Sequence, residues 1–278
     1  MIVFEPNNLQ IERQVITIKN LPQSFEGVKI VQLSDFHSYW FGFREKRILE
    51  ILKDLNPDFI FLTGDFIDPI TEFMTDKDLS SVRIFWQEMG KKYQDRIFAV
   101  LGNHDPKKVK YYLKEEGIRV LNNENQKIFI NNEFIYPVRD FGNKNEGQKK
   151  HISNGVYLIG VDDPATGQAD LAIAMKGIKN NVPKILLAHG PEIMAQKPDK
   201  KGIDLILVGH THGGQINIPV LTKILRPLKP LSEWGHKYLA GLFEINSTYL
   251  YVNRGVGTSL MPIRFNCPPE ITLIELRK

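Results

Sequence analysis

The fold of this chain is constrained most strongly by five short apolar runs. Each run is followed at once by polar residues that can bind metal ions. The runs occupy residues 28–33, 59–63, 97–101, 185–188 and 205–208. Short runs rich in Ile, Leu, Val and Phe suit strands that are buried on both faces of a sheet. Ligands bind beyond the carboxyl ends of such strands, so we expect the polar residues to meet at one rim.

Helical patterns accompany the first three runs. Apolar residues at helical spacing occupy 44–55, where the pattern stops at Asn56-Pro57, and they recur at 82–89. A third candidate helix contains Tyr112 and closes at Gly117. Strands that alternate with helices in this order predict right-handed crossovers and a helix-covered sheet.

The middle and the end of the chain contain further strand-like runs. These runs occupy residues 127–130, 133–138, 156–161, 241–245, 249–252 and 271–276. They predict a second sheet packed against the first, and no Pro/Gly/Ser-rich linker marks a boundary. We therefore predict an α/β fold of two packed mixed β-sheets flanked by helices, as one domain over residues 1–278.

The composition argues against several classes of function. Lysine and arginine number 36 against 32 aspartates and glutamates, a formal charge of +4, and the basic residues form no stripe of the kind that binds nucleic acid. The single cysteine, Cys267, allows no intrachain disulfide, and Leu273 occupies the place of the arginine in a Cys-x5-Arg phosphatase loop. The apolar runs are far shorter than the ~20 residues that span a bilayer. We expect a cytoplasmic protein, with peripheral contact at the inner face of the membrane as the alternative.

The polar residues after the strands form five motifs. They are Asp35-Phe-His37, Gly64-Asp65 with Asp68, Gly102-Asn103-His104-Asp105, His189-Gly190 and Gly209-His210-Thr211-His212. Five of the seven histidines lie inside these motifs. Carboxylate, amide and imidazole ligands without thiolate suit Mn, Fe or Zn better than a structural zinc site. The supply of ligands exceeds the needs of one ion, which favours a pair of ions and phosphoryl-transfer chemistry.

In this order the motifs resemble those of the calcineurin-like metallophosphoesterase superfamily: D-x-H, G-D-x-x-D, G-N-H-D/E, H and G-H-x-H. The resemblance runs from residue 28 to 212 and implies a four-layer αββα sandwich with two divalent ions, Mn first and Fe or Zn as alternatives. It implies that one ion is held by Asp35, His37, Asp65 and His212. It implies that the second ion is held by Asp65, Asn103, His189 and His210, so that Asp65 bridges the pair.

The resemblance also assigns roles to residues beside the ligands. His104 matches the family histidine that is not a ligand and that stabilises the transition state or protonates the leaving oxygen, a role suited to imidazole. Asp105 joins His104 in the predicted catalytic group. Asp105 and Asp68 would orient His104 and the bridging region.

The C-terminal part resembles one bacterial branch of the superfamily. Residues 209–215, 251–255 and 262–270 match a branch that includes lipid A pathway enzymes that cleave UDP-2,3-diacylglucosamine. In this branch, Arg254 and Arg264 are candidate phosphate clamps, or alternatively structural ion-pair partners. Pro69 follows Asp68, where the phosphoprotein phosphatases have arginine, which argues against a phosphoprotein substrate.

These patterns predict a dinuclear enzyme that hydrolyses a phosphodiester or pyrophosphate bond with a metal-bound hydroxide. The substrate would be a phosphorylated small molecule or a lipid-linked one such as UDP-2,3-diacylglucosamine. The alternatives are a nucleotide or cyclic-nucleotide phosphodiesterase, a nuclease, and a scaffold without catalysis. Residues 38–43 and the basic and apolar stretch 221–231, which contains Lys223, Arg226 and Lys229, would bind acyl chains or an anionic membrane, or would simply pack.

Overall fold

The strands and helices alternate along most of the chain. The computed structural model describes residues 5–68, 76–130, 135–137, 155–218, 231–259 and 261–278. The helices are α1 (Phe43–Leu55), α2 (Asp76–Tyr93), α3 (Lys107–Glu115), α4 (Leu171–Ala174) and α5 (Glu233–Lys237). The strands are β1 (Gln10–Thr17), β2 (Lys29–Leu33), β3 (Phe59–Thr63), β4 (Ile97–Val100), β5 (Arg119–Val120), β6 (Glu124–Ile130), β7 (Ile135–Pro137), β8 (Val156–Gly160), β9 (Lys184–Leu187), β10 (Leu205–Val208), β11 (Gly241–Ile245), β12 (Thr248–Val252) and β13 (Glu270–Arg277).

The described strands form two mixed sheets. The first has the order β1-β13-β2-β3-β4-β5, and the second has the order β11-β12-β10-β9-β8-β6-β7. Strands β2 to β5 run parallel to one another, as do β8, β9, β10 and β12. Both sheets also contain antiparallel pairs: β13 opposes β2, β11 opposes β12, and β6 opposes β7 and β8. Strand β1 completes the first sheet by pairing in parallel with β13.

Alternate residues of each strand face different cores, which produces four layers. On one face of the first sheet, Ile60 and Leu62 pack with residues of α1, α2 and α3. The opposite face carries Phe59 and Phe61, which belong to the cluster that Leu187 and its neighbours from the second sheet complete. The outer face of the second sheet packs against α4 and α5. The predicted fold of two packed mixed sheets flanked by helices is confirmed.

The predicted elements agree with the observed ones at most positions. Strands β3, β10 and β11 have the predicted bounds, and the apolar stripe at 82–89 lies buried on α2. Strand β1 is absent from the sequence-based predictions. It is an edge strand that pairs with β13 among the described strands, and its apolar residues Ile11 and Val15 are exposed, so it lacks the continuous apolar run of a buried strand. Residues 221–230 and Pro69 lie outside the described residues.

The two sheets meet at the rim where their parallel strands end. Gln32 on β2 donates through its side chain to the Val208 carbonyl at the end of β10, at 3.0 Å, and to the Thr63 hydroxyl at 3.1 Å. This buried bridge fixes the loops after β2, β3 and β10 relative to one another. No helix among the described residues is long and apolar enough to cross a membrane.

Candidate metal centre

All seven predicted ligands converge at this rim. They are Asp35 and His37 after β2, Asp65 after β3, Asn103 after β4, His189 after β9, and His210 and His212 after β10. Of these, Asp35, His37, Asp65, His189 and His212 are buried. Side chains that are separated by as many as 177 positions in sequence thus meet in one site, as strand-end placement predicts.

Their donor atoms form two clusters that could each hold an ion. Asp35, His37 and His212 make the first, and Asp65, His189 and His210 make the second. In the first cluster, Nε2 of His37 lies 3.1 Å from Nε2 of His212, which lies 3.4 Å from Oδ1 of Asp35. In the second, Nε2 of His189 lies 3.1 Å from Nδ1 of His210. Asn103 joins this cluster, with Oδ1 at 3.0 Å from Nε2 of His189.

Asp65 lies between the two clusters. Its Oδ2 is 3.5 Å from Nε2 of His37 in the first cluster and 3.3 Å from Nε2 of His189 in the second. Its other oxygen, Oδ1, accepts a hydrogen bond from the backbone N–H of His104 at 3.0 Å. A carboxylate in this position is suited to bridge two ions.

The spacing of the ring nitrogens fits metal ligands. Two nitrogens that each lie about 2.1 Å from one ion at a right angle are about 3 Å apart, close to the separations in both clusters. Nδ1 of His189 lies 2.7 Å from the Thr63 carbonyl, so this nitrogen carries the proton and donates to it. Once Nε2 is deprotonated, this tautomer directs the Nε2 lone pair into the site. The donor set of carboxylate, amide and imidazole therefore fits divalent ions.

Burial and charge shift the pKa of the ligand groups in opposite directions. Burial holds the pKa of His37 and of His212 below the usual value, so both imidazoles are neutral with a free lone pair. Burial also opposes the charged forms of His189 and Asp65, but the attraction between their opposite charges outweighs the effect of burial. This attraction raises the pKa of His189 well above its usual value and lowers the pKa of Asp65. Without ions, His189 and Asp65 thus form a buried ion pair.

Ion binding should release the proton of this pair. Because the pKa of His189 is raised, the group is protonated at neutral pH, and a metal ion must displace that proton to reach Nε2. We expect the affinity for Mn²⁺ to rise about tenfold per pH unit from acid toward neutral pH, with about one proton released per ion at the second cluster. Isothermal titration calorimetry in buffers of different ionisation enthalpy measures this release. An affinity that is flat with pH would contradict the assignment of His189.

The backbone at the ligands adopts an uncommon conformation. Five ligand residues have positive φ: Asp35 at 52°, His37 at 43°, Asp65 at 54°, His210 at 71° and His212 at 51°. This left-handed region costs an ordinary residue about 1–2 kcal/mol. Such strain persists only where the surrounding structure imposes it, and it is concentrated at functional sites. The loops are therefore shaped to aim side chains inward at some cost in stability.

Asp105 holds the loop that carries Asp65. Its carboxylate accepts backbone N–H bonds from Asp65 and Phe66 at 2.8 Å, from Gly102 at 2.9 Å and from Ile67 at 3.4 Å. Burial, followed by the nearby charge of Asp65, raises the pKa of Asp105 to about 7. Every hydrogen bond described for this carboxylate goes to the backbone. Asp105 therefore positions the loop that carries Asp65, and its predicted place in the catalytic group stays a prediction.

We expect Asp105→Asn to weaken metal binding about 10–100-fold and to lower the free energy of unfolding by about 2 kcal/mol. The amide keeps the volume of the carboxylate, but its NH₂ group would face backbone donors. Metal titration and thermal melting measure the two effects. Asp54→Asn, at an exposed site on α1, makes the same change in charge and should leave both values unaltered. If Asp105→Asn and Asp54→Asn had the same metal affinity and the same thermal stability, the positioning role of Asp105 would be contradicted.

His104 stands beside the ligands without joining either cluster. Its ring lies 5.5 Å from the His37 ring, edge to face, and the residue is half-buried, so the imidazole borders both the site and solvent. Gly102, two residues earlier, leaves room for the Asp65 carboxylate, since a Cβ at this glycine would lie 2.9 Å from Cγ of Asp65. The loop therefore places His104 next to Asp65.

Both predicted phosphate clamps have hydrogen-bond partners within the protein. Arg264 is fully buried and donates to the carbonyls of Gly257 at 2.6 Å and Arg254 at 2.7 Å. Arg254 donates to Glu270 and to Glu12, at 2.5 Å each. These contacts favour the structural alternative for both arginines, because their guanidinium groups hold the C-terminal segment in place. A sequence reveals charge, but it does not reveal which way a side chain points.

Two further residues that support the site were absent from the predictions. Glu192 packs near His210 and is bonded to Ser232, and Glu45 is buried where it accepts from Ser38, next to His37. Glu192 follows His189 by three positions, a spacing that could have drawn attention to it. Asp68 is buried and bonded to the hydroxyl of Tyr39.

The comparison with known families identifies this arrangement. The family model for Calcineurin-like phosphoesterase matches residues 28–214, a range that contains all five motifs. The chain belongs to the calcineurin-like phosphoesterase family. It is therefore a hydrolase of phosphoric esters, and its paired clusters are the counterpart of a divalent metal centre.

Three relatives illustrate the range of this family. The uncharacterized metallophosphoesterase YkuE of Bacillus subtilis (strain 168) is 30% identical over 99% of this chain and 87% of its own length. Phosphodiesterase YaeI of Escherichia coli (strain K12) is 32% identical over 79% of this chain and 70% of its own. UDP-2,3-diacylglucosamine pyrophosphatase LpxG of Chlamydia trachomatis serovar D is 28% identical over 98% of this chain and 90% of its own length. Their names describe those proteins, and they share with this chain the class of chemistry.

Proposed function

We propose that this calcineurin-like phosphoesterase hydrolyses a phosphodiester or pyrophosphate bond with two divalent ions, and that its substrate is lipid-linked. The position of Asp65 carries the dinuclear part of the proposal, because its Oδ2 lies 3.5 Å from a histidine of one cluster and 3.3 Å from a histidine of the other. Asp35, His37, Asp65 and His212 would hold one ion. Asp65, Asn103, His189 and His210 would hold the second.

Manganese is the ion that we prefer for both sites. The ligands are carboxylate, amide and imidazole without thiolate, and such mixed oxygen and nitrogen sets accept Mn, Fe and Zn. When bound, the ions lower the pKa of water and neutralise charge on the oxygens around phosphorus. The neutral His37 and His212 and the Asp65–His189 pair prepare the chain for that binding.

The chain's own residues position the reaction. A water that has given one proton to solvent attacks phosphorus, and the bond from phosphorus to the leaving oxygen breaks. His104 donates a proton to that oxygen and regains one from solvent. His104 is suited to this step because its ring borders the site and its backbone N–H is fixed to Asp65 at 3.0 Å. Asp105 supports Asp65 and His104, because its carboxylate accepts from the backbone of the turn from Asp65 to Ile67 and from the nitrogen of Gly102.

The relatives support the choice of bond and substrate. LpxG is named for a pyrophosphatase activity on a diacylated nucleotide sugar, and YaeI is named as a phosphodiesterase. UDP-2,3-diacylglucosamine is therefore the first candidate, and the enzyme would then act peripherally at a membrane surface. The charges are interspersed at a net +4, which makes nucleic acid a weaker candidate.

A screen of the Mn²⁺-loaded protein tests the proposal. It compares p-nitrophenyl phosphate, bis-p-nitrophenyl phosphate, UDP-2,3-diacylglucosamine and single-stranded DNA, with products identified by mass. We expect the diester and the nucleotide-lipid to be cleaved faster than the monoester and the DNA. Preferential cleavage of DNA would replace the proposal with a nuclease. Inertness toward all four substrates with Mn, Fe and Zn would favour a scaffold without catalysis.

A further inference from the structure

A groove of about 650 Å³ leads away from the candidate metal centre. His37 of the first cluster lies at its inner end. Its walls are mostly apolar and come from three parts of the chain, with principal members Pro6, Tyr39, Trp40, Phe43, Pro262 and Ile263. A group attached to phosphorus at the metal centre would therefore have a path along apolar side chains.

The mouth of the groove exposes large apolar side chains. Phe43 is 74% exposed and Trp40 is 65% exposed, while Met261 beside the Pro262 wall is 52% exposed. A single exposed aromatic residue is ordinary, as Tyr111 on α3 illustrates at 66%. Several of them around one concave surface, next to a catalytic centre, are typical of a ligand site.

The wall that carries Trp40 is held rigidly to the metal motif. Buried Glu45 accepts from the Ser38 hydroxyl at 2.9 Å and from the Gly42 backbone at 3.0 Å. The Phe41 nitrogen donates to the Ser81 hydroxyl on α2 at 3.0 Å. A wall fixed in this way binds a ligand without a large cost for ordering the loop.

Trp40 folds back over Gly42, whose lack of a side chain makes room for the indole. A Cβ at Gly42 would lie 2.8 Å from Cδ1 of Trp40. The ring is therefore seated by the backbone, although most of its surface is open. Gly42→Ala would displace the indole without removing any aromatic surface.

The charged groups of the groove are paired with each other, and most of its lining is apolar. Arg44 and Glu45 are its only charged side chains among the described residues, and they form an ion pair at 2.7 Å. The Tyr39 hydroxyl is bonded to Asp68. A nucleotide would find little charge to recognise here, whereas a hydrocarbon chain would find matching surface.

We propose that this groove binds an alkyl or acyl chain of the substrate, with Trp40 and Phe43 as the residues that select it. The inference rests on the proposed function, since the chain must be attached to the phosphoryl group that reacts at the metal centre. The nucleotide or other polar part of the substrate then leaves the centre in another direction.

Chain-length dependence tests the inference. The Mn²⁺-loaded protein is assayed with methyl, butyl and decyl p-nitrophenyl phosphates below their micellar concentrations, and release of p-nitrophenolate is followed. We expect kcat/KM to rise with chain length by about two- to fourfold per buried methylene until the groove is filled. Trp40→Ala, Phe43→Ala and Gly42→Ala should each lower the decyl-to-methyl ratio by about tenfold. Tyr111→Ala, at an equally exposed aromatic residue on α3, should leave the ratio unchanged.

A binding measurement separates failure of the groove from failure of the proposed function. Decylphosphonate and methylphosphonate, whose P–C bonds resist hydrolysis, are titrated into the same proteins by calorimetry. Tighter binding of the decyl compound that is lost in Trp40→Ala supports the groove even where no ester is cleaved, and that result would overturn only the proposed reaction. Cleavage and binding that ignore chain length would overturn the groove. One further result would overturn the groove: Trp40→Ala loses binding to phosphatidylglycerol vesicles while its decyl-to-methyl ratio is unchanged. The aromatic residues would then dock on a membrane instead of binding the substrate chain.

Discussion

Asp65→Ala is expected to lose both metal ions and catalytic activity together. The carboxylate lies between the two clusters, so its removal takes one ligand from each and leaves His189 without its charged partner. We expect kcat/KM to fall by at least about 10³-fold and metal content to drop from two ions per chain to fewer than one. Elemental analysis of the purified variant and a diester assay measure the two losses.

A matched variant shows that the loss is specific to the bridge. Asp54→Ala removes an exposed carboxylate from α1 and should retain two ions and full activity. Circular dichroism checks that the Asp65 variant is folded, because removing one partner of the buried Asp65–His189 pair is destabilising. A folded Asp65→Ala protein that keeps two ions would show that another group bridges the pair.

His104→Ala is expected to keep both ions and to lose rate. The side chain belongs to neither cluster, so metal content should equal that of the unaltered protein. Loss of a general acid should lower kcat by about 10²–10⁴-fold for a substrate with an alkoxide leaving group. Steady-state kinetics beside elemental analysis check both statements.

The leaving group provides the control for His104. A p-nitrophenolate ion leaves without a proton, so the rate loss should shrink markedly for p-nitrophenyl esters, while a residue that only shapes the site would slow all esters alike. An equal loss for both leaving groups would assign His104 to transition-state charge stabilisation instead. A His104→Ala protein without metal would make it a structural part of the centre.

The sequence contained enough information to predict which side chains converge at the rim, because the position of each predicted ligand follows from simple rules. A parallel strand ends, its next residues lie on the rim, and Asp35, Asp65 and His189 therefore converge. The layered fold followed in the same way from apolar runs without alternation. The pairing of β1 with β13 could not be predicted, because it joins the two ends of the chain. Its register depends on backbone hydrogen bonds, which leave no pattern in the side-chain sequence.

The environment of individual side chains was less predictable. Arg264 and Asp105 stand in the expected motifs, yet each is used to satisfy backbone groups that only the folded loops bring together. The groove beside His37 depends on Pro262 and Ile263, which reach it from a C-terminal segment. Sequence spacing shows which residues share a rim, while burial and direction require the packed structure.

The central claim is a pair of ions bridged by Asp65, and anomalous scattering from crystals of the Mn²⁺-loaded protein tests it most directly. We expect two peaks about 3.5–4 Å apart, one among Asp35, His37 and His212 and one among Asn103, His189 and His210, with an Asp65 oxygen between them. A single peak, or two peaks too far apart for one carboxylate to span, would contradict the account.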